Sequence, residues 1–152
     1  MRLHVLLILF LAGCAASGPA YKTIAKPTDG SALVYVYRIY EKTLPTWKPA
    51  IFLDGKPQAK MQIGGHTLLS VEAGRHKLSI APDNWKDDVS ITFLARPNSK
   101  RFFKLSTDVK NISTFGQSWT EVMRLTEIPE AQALEEISQT AYIAPRDAAE
   151  NK

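Results

Sequence analysis

The sequence predicts a mainly β domain: a small antiparallel β-sandwich or open barrel of about seven to eight strands, with one C-terminal helix. Three observations carry this. Runs rich in Val, Ile, Phe and Tyr recur at the roughly 8–12-residue spacing of small all-β domains. Gly, Pro and Asp stand between the runs, where turns need them. One stretch near the end, with Ala133, Leu134 and Ile137, has the spacing of a helix face.

The elements follow in order. Residues 32–40 (ALVYVYRIY) form the first strand, with Leu33, Tyr35, Tyr37 and Ile39 on one face and Val34, Val36, Arg38 and Tyr40 on the other. Residues 49–54 form the second, and Asp54-Gly55 turns it as a two-residue hairpin, since both residue types accept a positive φ. Residues 58–63 continue that hairpin to Gly64-Gly65. Residues 67–72 and 76–81 are the fourth and fifth strands, separated by Ala73-Gly74-Arg75. Residues 89–95 and 101–107 are the sixth and seventh, separated by Arg96-Pro97-Asn98-Ser99. An eighth falls within residues 119–128. Pro129 then suits the first turn of a helix, with Glu130 at the positive end of its dipole.

Residues ahead of the domain carry a different signal. Arg2 precedes an apolar run over residues 3–11, interrupted only by His4, which ends in Leu11-Ala12-Gly13-Cys14. A charged start, an apolar centre and small residues before a cut are the order of a secretory signal. The run is shorter than the roughly 20 residues that span a bilayer. Leu-Ala-Gly-Cys resembles the bacterial lipobox, which implies cleavage between Gly13 and Cys14 and lipid on the Cys14 thiol. Several acyl chains on one residue reach the strength that stable anchoring needs. The expected organisation is a lipoprotein signal peptide (1–13), a lipidated cysteine with a flexible tether (14–31), the β domain with its helix (32–145) and a frayed tail (146–152).

Composition narrows the function. Cys14 is the one cysteine, so no disulfide is expected once it is acylated, and the core alone must hold the fold. The net charge of +4 includes Arg2, and no Lys/Arg cluster is dense enough for a nucleic-acid partner. His66 and His76, the histidines beyond the signal segment, fall at opposite ends of the fourth strand and cannot share a metal ion. Asp87 and Asp88 lack an accompanying nucleophile motif. No catalytic residue, metal or cofactor is expected, and the chain reads as a non-enzyme.

Four segments in this order are similar to the domain of unknown function 2846 family: residues 32–38 (ALVYVYR), 53–56 (LDGK), 71–78 (VEAGRHKL) and 131–137 (AQALEEI). They span residues 32–138. Family members often have Pro-Gly where Ala73-Gly74 stands, and a small residue and an aromatic after the glycine where Gly65-His66 stand. The resemblance implies a bacterial lipoprotein or exported protein with a compact β domain. It implies no reaction.

A simple up-and-down meander would gather Lys56, Arg75, His76, Lys77, Arg96, Lys100 and Arg101 at one end, with the tether entering there. That end is expected to face the membrane, where each basic residue adds about 1 kcal/mol near anionic lipid. Trp85, with Asp83, Asp87 and Asp88, would face a partner at the other end. Trp47 and Trp119 are read as core caps or further partner contacts. The expected role is a lipid-anchored cell-envelope lipoprotein that binds an envelope protein or supports the envelope. A periplasmic domain binding a small ligand in a cleft is the alternative. Ala15 in place of an aspartate implies the outer membrane, facing the periplasm, if the source is Gram-negative.

Overall fold

The computed structural model describes residues 18–21, 25–41, 48–81, 89–111 and 119–145. The expected signal peptide, Cys14 and the tail 146–152 lie outside them. The elements are β1 (Ser31–Arg38), β2 (Ala50–Leu53), β3 (Lys56–Lys60), β4 (Gly65–Glu72), β5 (Gly74–Ala81), β6 (Val89–Ala95), β7 (Lys100–Asn111), β8 (Trp119–Glu127), α1 (Glu130–Ile137) and β9 (Ala141–Tyr142). All eight expected strands are present, and the two-residue β9 is an addition. The strands form two sheets, β8-β7-β1-β4-β9 and β3-β2-β5-β6.

The meander expectation is corrected by this order. β1 pairs with β4 and, in parallel, with β7, and it does not pair with β2. The chain changes sheets four times: between β1 and β2, between β3 and β4, at Ala73 between β4 and β5, and over residues 96–99 between β6 and β7. The physical cause lies in β1 itself. Residues 32–38 are all buried, so β1 must be central and covered on both faces, as parallel-paired strands usually are. A hairpin with β2 at a sheet edge would leave one of those faces wet.

The alternation read from the sequence of β1 assigns its two faces. Ala32, Val34 and Val36 enter the core between the sheets with Ile51, Leu69, Leu78, Ile80, Phe93, Phe103 and Leu105. Leu33, Tyr35 and Tyr37 enter a second core on the outer face of the first sheet, against Phe102 and α1 residues Ala133 and Ile137. Among the described residues no such outer layer covers the second sheet. Its β6 alternates accordingly, with Ser90, Thr92 and Leu94 exposed and Phe93 and Ala95 buried. Among the described residues both cores draw on Tyr21 onward, so the chain from Ala15 carries the whole described fold.

Helix α1 is fastened through Glu136. Tyr37 Oη donates to its Oε2 at 2.8 Å, and Lys104 Nζ lies 3.1 Å from the same oxygen. Burial alone would raise the Glu136 pKa. Hydrogen bonds from Tyr37, Lys104 and Gln132 outweigh it and hold the carboxyl below its usual range. Burial, with Glu136 alongside, pushes the Tyr37 phenol well above its ordinary value.

Residues 18–30, expected to be a loose tether, are in part built into the domain. Tyr142 N–H donates to Pro19 O at 2.8 Å, Tyr21 N–H to Thr140 O at 3.4 Å, and Ala20 bridges Ala141 antiparallel. β9 is therefore held from both sides, since it also pairs with Gly65 and His66 of β4. Ala25 N–H donates to Tyr35 Oη at 3.1 Å, so the segment continues along the outer face toward Ser31. Tyr21 and Ala25 pack on the second core. A glycine is required at position 18, where a Cβ would stand 1.8 Å from Tyr142 O.

Tyr37→Phe should lower the free energy of unfolding by about 1.5–3 kcal/mol, the range for a hydrogen bond to a charged group. Urea denaturation of the chain from Ala15 measures it, and an unchanged midpoint would show that α1 is held by packing alone.

Candidate functional site

A cavity of about 360 Å³ opens where the N-terminal segment, β4 and β9 meet. Residues 19–21 supply part of its lining. Tyr35 and Leu68, direct partners across β1 and β4, supply more, as do His66 and Tyr142, direct partners across β4 and β9. Strand alternation places His66 and Leu68 on the outer face of the sheet with Tyr35 and Tyr37. His66 packs edge-on to Tyr21 and tilted to Tyr142, each 5.6 Å between ring centroids.

The hydrogen bonds fix the state of His66. Thr140 Oγ1 donates its proton to Ile137 O at 2.7 Å. At 2.8 Å from His66 Nδ1, the same oxygen can therefore only accept, and Nδ1 carries the proton. Burial pushes the His66 pKa down, so the ring is neutral near pH 7. Nε2 is left as a bare acceptor with no hydrogen bond among the described residues. The Tyr21 hydroxyl is buried and also lacks a partner. Burial, with a smaller contribution from Glu130, raises the Tyr21 pKa and keeps the phenol neutral.

Of the seven basic residues singled out from the sequence, Arg75, Arg96, Lys100 and Arg101 lie near Gly74, Ala95 and Ser31 at one end of the sandwich, with His76 next to them, while Lys56 and Lys77 stand level with the middle of β5. Gly74 is paired with Ala95, and Ser31 with Glu72, while Asn98 N–H donates to Ser31 O at 2.7 Å. Three of the seven are neutralised. His76 Nδ1 meets Asp54 Oδ2 at 2.7 Å and its Nε2 meets Glu72 O at 2.9 Å. Lys100 pairs with Glu130 at 3.3 Å, and Arg101 with Glu127 at 2.7 Å. Lys56, Arg75, Lys77 and Arg96 are exposed and make no ion pair among the described residues. Arg75 and Lys77 stand on the outer face of the second sheet, exposed among the described residues.

β1 begins at this end, but the chain before it does not stay there. Residues 18–21 are pinned beside Gly65 and Tyr142, and Gly65 is paired with Arg38 at the finish of β1. Eight residues of strand separate the two ends, about 23 Å at the usual rise. The docking was not legible in the sequence, because its pairing runs through backbone hydrogen bonds and the two side chains that pack, Tyr21 and Ala25, form no periodic pattern. Trp47, Trp85, Asp83, Asp87 and Asp88 lie outside the described residues, as does the Trp119 side chain. Among the described residues no three His, Cys, Asp or Glu side chains form a metal-binding group, and no helix is long and apolar enough to cross a membrane.

Comparison with protein-family models, characterised proteins and solved structures finds no match. The likeness to the domain of unknown function 2846 family therefore rests on its four sequence segments.

His76 and Asp54 generate a test. The bond to Asp54 raises the His76 pKa, so its stabilisation is complete below about pH 6.5 and fades as pH rises through the raised value. The bond to His76 lowers the Asp54 pKa, and that contribution is lost only as pH falls through the lowered value. Wild type should therefore exceed His76→Gln in stability by up to about 1 kcal/mol at pH 6, and by less at pH 9. Urea midpoints at the two pH values give the difference, which cancels the opposite slope from buried His66. A gap that does not shrink would assign the effect of residue 76 to packing on Phe93.

Proposed function

We propose that this chain is a lipid-anchored protein of the bacterial cell envelope, cut between Gly13 and Cys14 and held in a membrane by lipids on Cys14. It acts there as a non-enzymatic binding or structural module. The observation that carries the reading is Leu11-Ala12-Gly13-Cys14 after an apolar run. The four segments that resemble domain of unknown function 2846 lipoproteins accord with it.

The docked segment supports a particular orientation. Gly18 is four residues from Cys14, a reach of at most about 14 Å. An anchor this short keeps the His66 end of the sandwich beside the bilayer and turns Lys56, Arg75, Lys77 and Arg96 toward the periplasm, where an envelope protein would meet them. Contact of the basic end with the membrane would require residues 18–21 to leave β9. A non-enzymatic role accords with the two histidines: His66 is engaged by a threonine, and His76 by a surface turn. A second reading, a periplasmic domain that binds a small ligand, is favoured by the cavity beside His66.

Cys14→Ser should abolish incorporation of labelled palmitate and leave the precursor uncut by the lipoprotein peptidase. Label entering the variant as well as the wild type refutes the anchor. With Ala15 at the sorting position, a Gram-negative host should carry the protein in its outer membrane. Recovery only with inner membrane refutes that destination while leaving the anchor intact.

A further inference from the structure

We propose that the cavity beside His66 binds a small, uncharged aromatic molecule that donates one hydroxyl or N–H hydrogen to His66 Nε2. This rests on the second reading above, that the domain takes a small ligand, and names its chemical class.

Size comes first. At about 360 Å³ the cavity falls within the usual range for small-molecule sites and would otherwise hold roughly a dozen waters. Its lining sets the chemistry. Tyr21, Tyr35, His66 and Tyr142 present four rings, and Pro19, Ala20 and Leu68 add only apolar surface. Rings favour an occupant that can stack or meet them edge-on. Among the described residues no lining residue is charged, so a charged ligand would lose hydration without gaining a counter-ion from them. The Glu130 carboxylate acts on both Tyr21 and Tyr35, which further disfavours an anion.

Two unused polar groups fix the hydrogen bonding. The proton on Nδ1 is committed to Thr140, so Nε2 can accept but not donate. Among the described residues the buried Tyr21 hydroxyl has no partner, although buried hydroxyls nearly always have one. A ligand hydroxyl satisfies Nε2 by giving it a proton. An N–H donor does the same. Neither group is needed by the fold, since Nδ1 and the ring contacts already hold His66 in place.

Three probes of one shape test the proposal: 2-naphthol, naphthalene and 2-naphthoate. They are titrated at pH 7 into the ¹⁵N-labelled chain from Ala15, with the amides of Tyr21, His66, Leu68 and Tyr142 followed by NMR. 2-Naphthol should move these amides and bind at least ten-fold more tightly than either analogue. His66→Phe should bring 2-naphthol down to the level of naphthalene. If His66→Phe does not fold, Leu68→Trp serves instead, filling the cavity and abolishing the shifts. Naphthoate binding as tightly as 2-naphthol at these amides overturns the uncharged-donor class and leaves the small-ligand reading standing. Equal binding of 2-naphthol and naphthalene removes His66 from recognition and overturns the proposal. Shifts that survive Leu68→Trp place binding elsewhere and also overturn it. No shift with any probe overturns both the proposal and the reading beneath it.

Discussion

Burial of β1 on both faces is the constraint from which the rest of the fold follows. Six apolar side chains in succession, Ala32 to Tyr37, cannot be satisfied by one layer. The inner three require an opposing sheet, and β2, β5 and β6 supply it. The outer three require a cover, and α1 with Tyr21 and Ala25 supplies it. Central position also demands neighbours on both edges of the strand. β4 and β7 fill those places, one antiparallel and one parallel. The four sheet changes, β1 to β2, β3 to β4, β4 to β5 and β6 to β7, are consequences, because together they bring β4 and β7 to β1 while leaving β2, β5 and β6 in the facing sheet.

The same cover explains how a two-residue strand persists. Ala141 and Tyr142 are too short to be stable by themselves. They are clamped between β4 and residues 18–21, with further bonds from Ala141 N to Gly64 O and from Ile143 N to His66 O. The two stretches that flank the domain in sequence thus close the same edge of the first sheet. An anchor on Cys14 would pull on this clamp. Its resistance comes from backbone bonds in register and from the Tyr21 ring in the second core, so the load passes into β4 and β1.

Much of the fold was legible because its signals are local. The two-sided alternation of β1, the Asp54-Gly55 turn and the Ala133/Leu134/Ile137 face each need only neighbouring residues. Asp54 indeed has a φ of 51° and Gly55 of 78°. Strand order was not legible. Ala73-Gly74 and Arg96-Pro97-Asn98 have turn chemistry, and that chemistry reads the same whether the chain reverses within a sheet or crosses to the next. Either path returns the start of β5 and the finish of β6 to one end, so Arg75 and Arg96 come together whichever way the chain runs. The charges of the basic residues were misjudged, because Glu127 and Glu130 reach Arg101 and Lys100 from 26 and 30 positions away in sequence. The cavity was invisible for a stronger version of the same reason. Its histidine is set by Thr140, 74 residues downstream.

His66 and His76 show how far surroundings, more than residue type, decide chemistry. Both open the strand segments that the sequence suggested, and both use Nδ1 for one strong contact. His76 meets a carboxylate at an exposed turn, with Glu72 O at its other nitrogen, so both ring nitrogens face acceptors and the cation is favoured. His66 meets a hydroxyl whose proton is already given away, inside an aromatic wall, so the neutral ring is favoured. The first arrangement uses up both nitrogens and closes the end of the core against Phe93. The second leaves, among the described residues, one histidine lone pair at a cavity and a buried tyrosine hydroxyl without a partner. Fold stability accounts for every contact of His76. It does not account for Nε2 of His66, and an acceptor left open in an apolar wall is how a protein selects one donor from otherwise similar molecules.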